Sequence, residues 1–263
     1  MFPGQPADQY HGMIDIHSHI LPGLDDGART QDEAVNMVRM AASAGTTDIV
    51  ATPHANEQFC FDPMAAAQRI AVLQQACGET PRIHYGCELH LTPDNIEDAL
   101  RFPARYSIAH RAYLLIEFSD FWIPKTAGEI LQRLMAAGMR PILAHPERNP
   151  ILRGRFVDLA AWVEQGCLLQ VTAQSLTGSF GRTAKSASEQ LMRLGLVHLL
   201  ASDGHDTRHR PPVLDAAWQY LEDRFGQATA QRLLVETPRA ILEGQPVEAA
   251  VPIKRKKSRF ALW

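Results

Sequence analysis

The sequence predicts an α/β fold, a β/α barrel with seven units, and two observations support this class. Seven short apolar segments recur along the chain, and each is followed by residues that begin and end helices. Uninterrupted apolar segments are typical of parallel strands buried on both faces. Regular alternation of strand and helix favours right-handed parallel crossovers, although a complete barrel has one unit more. The predicted strands are residues 13–17, 48–52, 83–88, 113–117, 141–144, 167–172 and 197–201.

The helices that follow these strands are predicted from their first and last residues. Thr30 and Glu33 form a capping box, and Gly45 allows a left-handed turn at the end of that helix. Asp62-Pro63 and Thr92-Pro93 each combine an N-cap residue with proline at the first helical position. Further helices are predicted at 126–137, 156–165, 183–194, 212–225 and 228–235, before a turn at 238–243.

The chain length predicts one domain with an extension at each end. A barrel of about 250 residues is usually a single domain. We expect an N-terminal extension at 1–12, the barrel at 13–245 and a basic, disordered tail at 246–263. Residues 254–259 of that tail carry five positive charges, and without them 21 basic residues face 29 acidic ones. The predicted barrel is therefore acidic, which suits a site that collects cations.

Composition disfavours several classes of protein. The net charge of −3 does not favour non-specific binding to nucleic acid. No apolar stretch reaches the roughly 18 residues that a membrane span needs, and residues 1–12 lack the apolar segment of a secretion signal. The four cysteines (Cys60, Cys77, Cys87 and Cys167) form no C-x-x-C pair and are typical of reduced thiols. A cytoplasmic protein is expected.

Six of the seven predicted strands lead to a histidine or a carboxylate. The C-terminal strand ends of a β/α barrel form one rim, which carries the chemistry. Each residue alone fits a structural role, since Asp-Gly sequences form turns and a single buried glutamate can be paired. Coincidence at six strand ends instead indicates a metal site. The candidate ligands are His17, His19, Asp25 (or the adjacent Asp26), His54, Glu88, Glu117, His145, Asp203 and His205.

The residue types at this rim indicate a cluster of ions. His17 and His19 face the same side of an extended segment, so both imidazoles can bind one ion. Carboxylates such as Glu88 and Asp203 can each bridge two ions. Nitrogen and oxygen ligands without thiolate favour manganese, iron or zinc. Nine ligands are too many for one ion, so two or three divalent ions are expected, and these would lower the pKa of a bridging water.

Two arginines near this rim indicate a phosphorylated substrate. Arg148 lies three residues after His145, and Arg210 lies five after His205. Guanidinium groups bind phosphate through paired hydrogen bonds, although each arginine alone could equally form a surface salt bridge. Beside a metal rim, phosphate binding is favoured. We therefore predict Arg148, Arg210 and Asp203 as the catalytic residues.

Other motifs are absent or ambiguous. No C-x5-R loop follows any cysteine, which argues against a cysteine-nucleophile phosphatase, and there is neither a P-loop nor a nucleophile elbow. Four aromatic residues follow the second and fourth strands, where packing is their usual role and a wall for an aromatic substrate ring is the alternative. They are Phe59, Phe61, Phe121 and Trp122.

The ordered motifs resemble the polymerase-and-histidinol-phosphatase (PHP) superfamily, especially its bacterial tyrosine phosphatases of capsule and exopolysaccharide systems. The resemblance covers residues 13–243. It rests on Asp15-Ile16-His17-Ser18-His19 with Asp25-Asp26-Gly27, Thr52-Pro53-His54, Gly86-Cys87-Glu88, Leu115-Ile116-Glu117-Phe118, Ala144-His145-Pro146-Glu147-Arg148 and Ala201-Ser202-Asp203-Gly204-His205. It implies a distorted seven-unit TIM-like barrel, the PHP fold, with a trinuclear site, and matches Arg148 and Arg210 to phosphate-holding arginines. The substrate it implies is the phosphotyrosine tail of a bacterial tyrosine kinase that is a polysaccharide co-polymerase.

Three functions follow from these observations. The first is a metal-dependent protein-tyrosine phosphatase. The second keeps the metal site but acts on a small molecule, histidinol phosphate or a nucleotide. The third is a non-catalytic binding partner with structural metals, which nine ligands at an open rim disfavour. The basic tail is either solvated or in contact with an acidic membrane surface, where each basic residue contributes about 1 kcal/mol.

Overall fold

Two parallel sheets form the centre of the fold. The structure, a computed structural model, describes residues 12–247. Its strands are β1 (Met13–Ser18), β2 (Thr46–Ala51), β3 (His54–Ala55), β4 (Arg82–Tyr85), β5 (Glu88–His90), β6 (Tyr113–Glu117), β7 (Arg140–Ala144), β8 (Leu168–Thr172) and β9 (Leu199–Ala201). One sheet has the order β1-β2-β4, and the other has the order β3-β5-β6-β7-β8-β9. The paired strands are parallel, which confirms the predicted α/β class.

Backbone hydrogen bonds join the two sheets at β1 and β9. Ser18 pairs with Gly204 in an isolated parallel bridge. The amide of Asp203 donates to the carbonyl of His17 at 2.9 Å, and the amide of His19 donates to the carbonyl of Gly204 at 2.8 Å. The C-terminal end of β1 therefore lies beside the segment that follows β9, which brings the first and last groups of predicted ligands together.

The described residues contain nine strands rather than seven, because the predicted strand 83–88 is divided into β4 and β5 and a further short strand, β3, follows the predicted strand 48–52. Pro53 lies between β2 and β3. Proline has no N–H to donate to a sheet, so the hydrogen-bond ladder stops there. Its carbonyl instead accepts from the amide of Glu88 at 3.1 Å. Glu88 consequently begins β5. The predicted strand 83–88 therefore has the right position in the chain, but its predicted continuity was wrong.

Helices follow the strands along the chain. The α-helices are α1 (Gln31–Ser43), α2 (Pro63–Cys77), α3 (Pro93–Arg101), α4 (Pro103–Tyr106), α5 (Ala127–Ala136), α6 (Phe156–Glu164), α7 (Ala173–Thr177), α8 (Gly181–Leu194), α9 (Asp215–Phe225), α10 (Gln227–Gln231) and α11 (Thr237–Glu243). The predicted N-caps are confirmed. The side chains of Thr30, Asp62 and Thr92 each accept from an amide in the first turn of the helix that follows.

The C-terminal helices differ from the prediction. The predicted turn at 238–243 is helix α11, because proline near a helix start lacks only an N–H that would have no intrahelical partner. The predicted helix 228–235 is α10 followed by a π-helical turn, Arg232–Glu236. The predicted helix 212–225 begins at Asp215, after Pro211 and Pro212. Helix α7 was not predicted, since its five residues are too short for a clear periodic pattern.

Two clusters of buried side chains stabilise the fold. The larger contains most of the apolar helix residues with one face of the strands. The smaller contains alternate residues of six strands, such as Ile14 and Ile16 of β1, together with Ile108 and Ile241. Tyr113 is also a member of this cluster, and its hydroxyl donates to the carbonyl of Gln245 at 2.7 Å. The strands therefore have apolar residues on both faces, as continuous apolar segments predict.

Residues 1–11 of the predicted extension 1–12 and almost all of the predicted tail at 246–263 lie outside the described residues. Gly12, Pro246 and Val247 are described, and the amide of Val247 donates to the Tyr113 hydroxyl at 3.1 Å. Within residues 12–247, no helix combines the length and apolar character needed to cross a membrane.

His198, just before β9, is expected to make stability depend on pH. Its Nδ1 accepts from the amide of Leu169 at 3.1 Å, which requires this nitrogen to be unprotonated. Burial, with Arg232 nearby, lowers the pKa of His198 to about 4. The unfolded chain binds this proton at an ordinary pKa of about 6.5, so stability is lost as pH falls from about 6.5 towards 4.

As the pH falls from about 7.5 to about 5, the titration of His198 should lower the free energy of unfolding by about 2 kcal/mol. His198→Asn keeps an acceptor for Leu169 in its Oδ1 and should remove that part of the pH dependence. Urea unfolding of both proteins, metal-free, at the two pH values measures the difference. Parallel pH dependence of wild type and variant would contradict the assignment.

Candidate metal centre

The predicted ligands converge at the C-terminal ends of the strands. Four groups of histidines and carboxylates each have donor atoms within 4.8 Å of one another. The groups are His17, His19 and Glu88; His17, His145 and Asp203; His54, Glu88 and Glu117; and His19, Asp26, His54 and His205. They share members and so form one continuous cluster. Every predicted ligand except Asp25 belongs to it, and Asp26 is present instead.

Glu88 lies at the centre of this cluster and is fully buried. Its Oε1 lies 3.0 Å from Nε2 of His145 and 3.2 Å from Nε2 of His17. Its Oε2 lies 2.9 Å from Nδ1 of His54 and 3.3 Å from Nε2 of His19. Both oxygens thus face imidazole nitrogens from several strands, an arrangement in which one carboxylate can bridge two ions.

The two neighbouring aspartates occupy different positions. Asp25 accepts from Nδ1 of His19 at 2.7 Å and from the amide of His54 at 3.1 Å, so it orients the outer nitrogen of a ligand. Asp26 Oδ1 lies 3.4 Å from Nε2 of His54 and 3.5 Å from Nε2 of His205, facing the cluster. Gln170 supports His17 as Asp25 supports His19, since Oε1 of Gln170 lies 3.0 Å from Nδ1 of His17.

The charges of the cluster favour a bound cation. Burial opposes ionisation of Glu88, yet His17 and His54 hold the pKa of this carboxyl well below its usual range. Burial and the neighbouring His19 oppose protonation of His54, yet Glu88 and Asp26 raise the pKa of this ring to about 10. The carboxylates thus remain negative inside the protein and attract positive charge to the histidines.

The close approach of ligand atoms to one another, two of them without a hydrogen-bond partner, fits metal ligation. Nδ1 of His54 and Oε2 of Glu88 are 2.9 Å apart, but both are buried and neither has a hydrogen-bond partner of acceptable geometry. Nε2 of His17 and Nε2 of His19 lie 3.2 Å apart. Imidazole nitrogens and carboxylate oxygens suit first-row divalent ions. The residues present therefore fit such ions.

Strained backbone positions aim two of these side chains. His145 and Asp203 have positive φ angles of 32° and 52°, a region that costs non-glycine residues about 1–3 kcal/mol. Gly204 permits the turn after Asp203, since a Cβ there would lie 2.8 Å from Cα of Pro212. Ser202, which precedes Asp203, is held by Asp15. The Asp15 carboxylate accepts from the Ser202 hydroxyl at 2.5 Å and from the Ser202 amide at 3.0 Å. Sequence analysis did not assign Asp15 a role.

The two predicted arginines meet at Asp203. Nη1 of Arg148 and Nη2 of Arg210 both contact Oδ2 of Asp203, the latter at 2.6 Å. The guanidinium carbons lie 4.6 Å and 5.9 Å from the centre of the Phe180 ring. Nε of Arg210 is buried without a hydrogen-bond partner. Two guanidinium groups that converge on one anionic oxygen, with a donor to spare, can bind phosphoryl oxygens.

Asn149 connects the Arg148 loop with the loop after β6. Its Nδ2 lies 3.1 Å from the carbonyls of Phe118 and Ser119. Its Oδ1 accepts from the amides of Ile151 and Leu152 at 2.9 Å. Neither Asn149 nor Phe180 was assigned a role from sequence. Asn149 directly follows Arg148, which was the available signal, whereas nothing in the sequence places Phe180 beside the arginines.

The predicted aromatic residues separate into three environments. Phe59 lies parallel to the His54 ring, with centroids 6.0 Å apart and an interplanar angle of 11°. Phe61 is buried against Tyr85 and Tyr106, so packing is its role. Phe121 and Trp122 are 95% and 67% exposed.

The two neighbouring aspartates can be distinguished by substitution. Asp25→Asn should weaken metal binding about 10–100-fold, because outer-shell carboxylates orient ligating histidines, with full occupancy restored at high metal concentration. Asp26→Asn should lower the number of ions bound even at saturation. Metal titration with elemental analysis measures both. Asp32→Asn, the same charge change at an exposed position, is the control. Equal behaviour of Asp25→Asn and Asp26→Asn would contradict the distinction.

Comparison with known proteins assigns the chain to a family. The sequence model of the family described as capsular polysaccharide synthesis, CpsB/CapC, matches residues 13–243. The chain belongs to the CpsB/CapC family. Its matched segment begins at β1 and ends with α11, and so contains every predicted ligand. Membership confirms the resemblance to bacterial capsular phosphatases.

Relatives in this family include tyrosine-protein phosphatases. Tyrosine-protein phosphatase YwqE of Bacillus subtilis (strain 168) is 34% identical over 251 residues, 93% of this chain and 98% of the relative. The putative tyrosine-protein phosphatase CapC of Staphylococcus aureus is 31% identical over 254 residues, 94% of this chain and 98% of the relative. Tyrosine-protein phosphatase CpsB of Streptococcus pneumoniae is 27% identical over 242 residues, 89% of this chain and 99% of the relative.

Solved structures support both the family and the fold. A crystal structure from work on YwqE of Bacillus subtilis and CpsB of Streptococcus pneumoniae, described as unique metal-dependent tyrosine phosphatases, matches with a TM-score of 0.84. Its sequence identity is 32%, and the match covers 93% of this chain and 100% of that one. A phosphotriesterase homology protein from Escherichia coli matches at a TM-score of 0.58 and 12% identity, which indicates a shared fold alone.

Proposed function

We propose that the chain is a metal-dependent protein-tyrosine phosphatase, a phosphoric monoester hydrolase. One observation carries the proposal: a buried histidine–carboxylate cluster lies beside two arginines that converge on Asp203. The cluster fits divalent ions, and the arginines fit phosphoryl oxygens. The names of the family relatives support tyrosine phosphate as the substrate.

The protein side chains have separate tasks in this proposal. Arg148 and Arg210 bind and orient the phosphoryl oxygens, and Phe180 supports both guanidinium groups. Asp203 would help to hold a metal ion, and its Oδ2 positions both arginines. Divalent ions, when held by the cluster residues, would supply a water of lowered pKa and positive charge. Tyrosine has a pKa of about 10, so its phenolate can leave without a strong protein acid.

We propose two or three divalent ions, with manganese as the expected metal and iron or zinc as acceptable substitutes. The overlapping ligand groups, which share His17, His19, His54 and Glu88, support more than one ion. The proposed ligands are His17, His19, Asp26, His54, Glu88, Glu117, His145, Asp203 and His205, with Asp25 orienting His19. We also propose that the two sheets form one distorted seven-unit barrel, which the β1–β9 backbone bonds and the apolar cluster inside it support.

The proposed substrate is the phosphotyrosine tail of a bacterial tyrosine kinase of capsule or exopolysaccharide synthesis. The protein would act in the cytoplasm, without a nucleic-acid partner. The basic residues 254–259 would contact acidic membrane surface near such a kinase. Family membership in capsular polysaccharide synthesis supports this setting.

A substrate panel with metal control tests the proposed function. Purified manganese-loaded protein should hydrolyse p-nitrophenyl phosphate and a phosphotyrosine peptide, and chelation should lower the rate by at least about 10²-fold. Higher kcat/KM for histidinol phosphate or a nucleotide would favour the small-molecule alternative. Stoichiometric metal without turnover of any phosphate would favour the non-catalytic alternative.

Thiol alkylation separates this chemistry from that of cysteine phosphatases. Burial raises the pKa of Cys167 to about 12 and holds the pKa of Cys87 well above its usual range, so neither is a reactive thiolate. Brief iodoacetamide treatment should modify exposed Cys60 and leave the activity unchanged. Stoichiometric inactivation would contradict a metal mechanism.

A further inference from the structure

A cavity opens beside the metal centre. It has a volume of about 450 Å³ and shares Asp26, His54 and Glu117 with the cluster. Phe59 and Phe121 form its aromatic walls. If a phosphate group occupied the metal centre, the rest of that molecule could therefore extend directly into this cavity.

The aromatic walls are held in place by their surroundings. Phe59 lies parallel to the ring of His54 at 6.0 Å. The loop before Phe121 is fixed by Asn149 through the carbonyls of Phe118 and Ser119, and the Phe121 amide donates to the Ser119 hydroxyl at 3.2 Å. The Phe121 side chain itself is 95% exposed, so its ring is available to a molecule in this cavity. Its position at the cavity mouth indicates contact with a ligand.

The charge of this cavity disfavours a second phosphate. Among its described lining residues none is lysine or arginine, whereas Glu57 and Asp120 are exposed acids. A separate cavity of about 490 Å³ on the other side of Asp26 is lined by Arg29, Arg208 and His209. The metal centre thus opens towards one aromatic, acidic cavity and one cavity with basic residues. A neutral aromatic ring with basic neighbours suits the first.

We propose that Phe59 and Phe121 bind the phenyl ring of the phosphotyrosyl substrate and that Glu57 and Asp120 favour basic residues beside that tyrosine. This inference rests on the proposed phosphatase function and identifies the residues that determine its substrate class. Aromatic pairs prefer offset or edge-to-face contacts, and a substrate ring in this cavity could make such contacts with either phenyl ring. The selected substrates are aryl phosphate monoesters in a neutral or basic peptide.

Phe121→Ala in the manganese-loaded full chain tests the ring contact. We expect kcat/KM for a phosphotyrosine peptide to fall about tenfold, mainly through KM. Inhibition by inorganic phosphate, which has no ring, should be unchanged. Phe121→Tyr should restore the wild-type KM. Trp122→Ala is the matched control, because Trp122 is adjacent and 67% exposed but does not line the cavity.

Two results would overturn the ring contact in different ways. Active wild type with equal KM values for Phe121→Ala and Trp122→Ala would reject the ring contact and leave the phosphatase function intact. Wild type without turnover of any phosphate would reject both. If Arg208→Ala raised the peptide KM while Phe121→Ala did not, the leaving group would lie in the basic cavity instead.

Flanking charge provides the second measurement. Peptides with lysine beside the phosphotyrosine should have several-fold higher kcat/KM than the same peptides with glutamate at low salt, and the difference should shrink as salt rises. Glu57→Lys should reduce or reverse the preference without changing the phosphate inhibition constant. A preference for glutamate-flanked peptides in the wild type would overturn the charge part of the proposal.

Discussion

Glu88→Gln should lower kcat/KM for p-nitrophenyl phosphate by on the order of 10³-fold and remove at least one metal ion from the purified protein. Glutamine preserves the shape of the side chain but removes the negative charge and one of the two acceptor oxygens. In the structure those oxygens contact four histidines from three strand ends. Loss of the central carboxylate should therefore affect more than one ion at once.

Elemental analysis and steady-state kinetics on the same preparations measure this effect. Glu147→Gln is the matched control, because Glu147 is equally buried but its Oε1 accepts from the amide of Thr172 at 3.0 Å and it belongs to no ligand group. Its metal content should equal that of wild type. A Glu88→Gln protein that retains every ion and full activity would refute the bridging role.

Arg210→Lys should lower kcat/KM by about 10²–10³-fold while leaving the metal content unchanged. Lysine keeps the positive charge but loses the planar set of donors that matches phosphate. The free Nε of Arg210 and its Nη2 contact with Asp203 place these donors beside the metal cluster. Since charge on the phosphoryl oxygens changes during transfer, most of the loss should appear in kcat.

Arg208→Lys is the control for this substitution. Arg208 lies two residues away and is exposed, in the loop that Asp206 holds by accepting from its amide. Its activity should stay within about twofold of wild type, as surface substitutions usually have small effects. If Arg210→Lys lost metal as well as activity, the arginine would support the cluster and not the substrate.

Local patterns in the sequence predicted much of the fold and of the site. Continuous apolar segments and helix caps predicted the α/β class, because burial on both faces and capping depend on neighbouring residues. The two-residue strand β3 and the division of the predicted strand 83–88 into β4 and β5 were missed, because strands this short show no clear pattern in the sequence. Helices α7 and α11 were missed because short helices show little periodicity.

The chemistry of the site was evident from residue types at strand ends, since the rule that parallel strands meet at one rim needs no coordinates. The sequence by itself determined the family, the ligand types and the two arginines. Only the tertiary structure decided that Asp26 faces the cluster while Asp25 holds His19. It also decided that Phe180 lies beside the two arginines and that Asn149 holds the loop before Phe121. These arrangements depend on which side chains from distant segments face each other, and sequence order does not specify that direction.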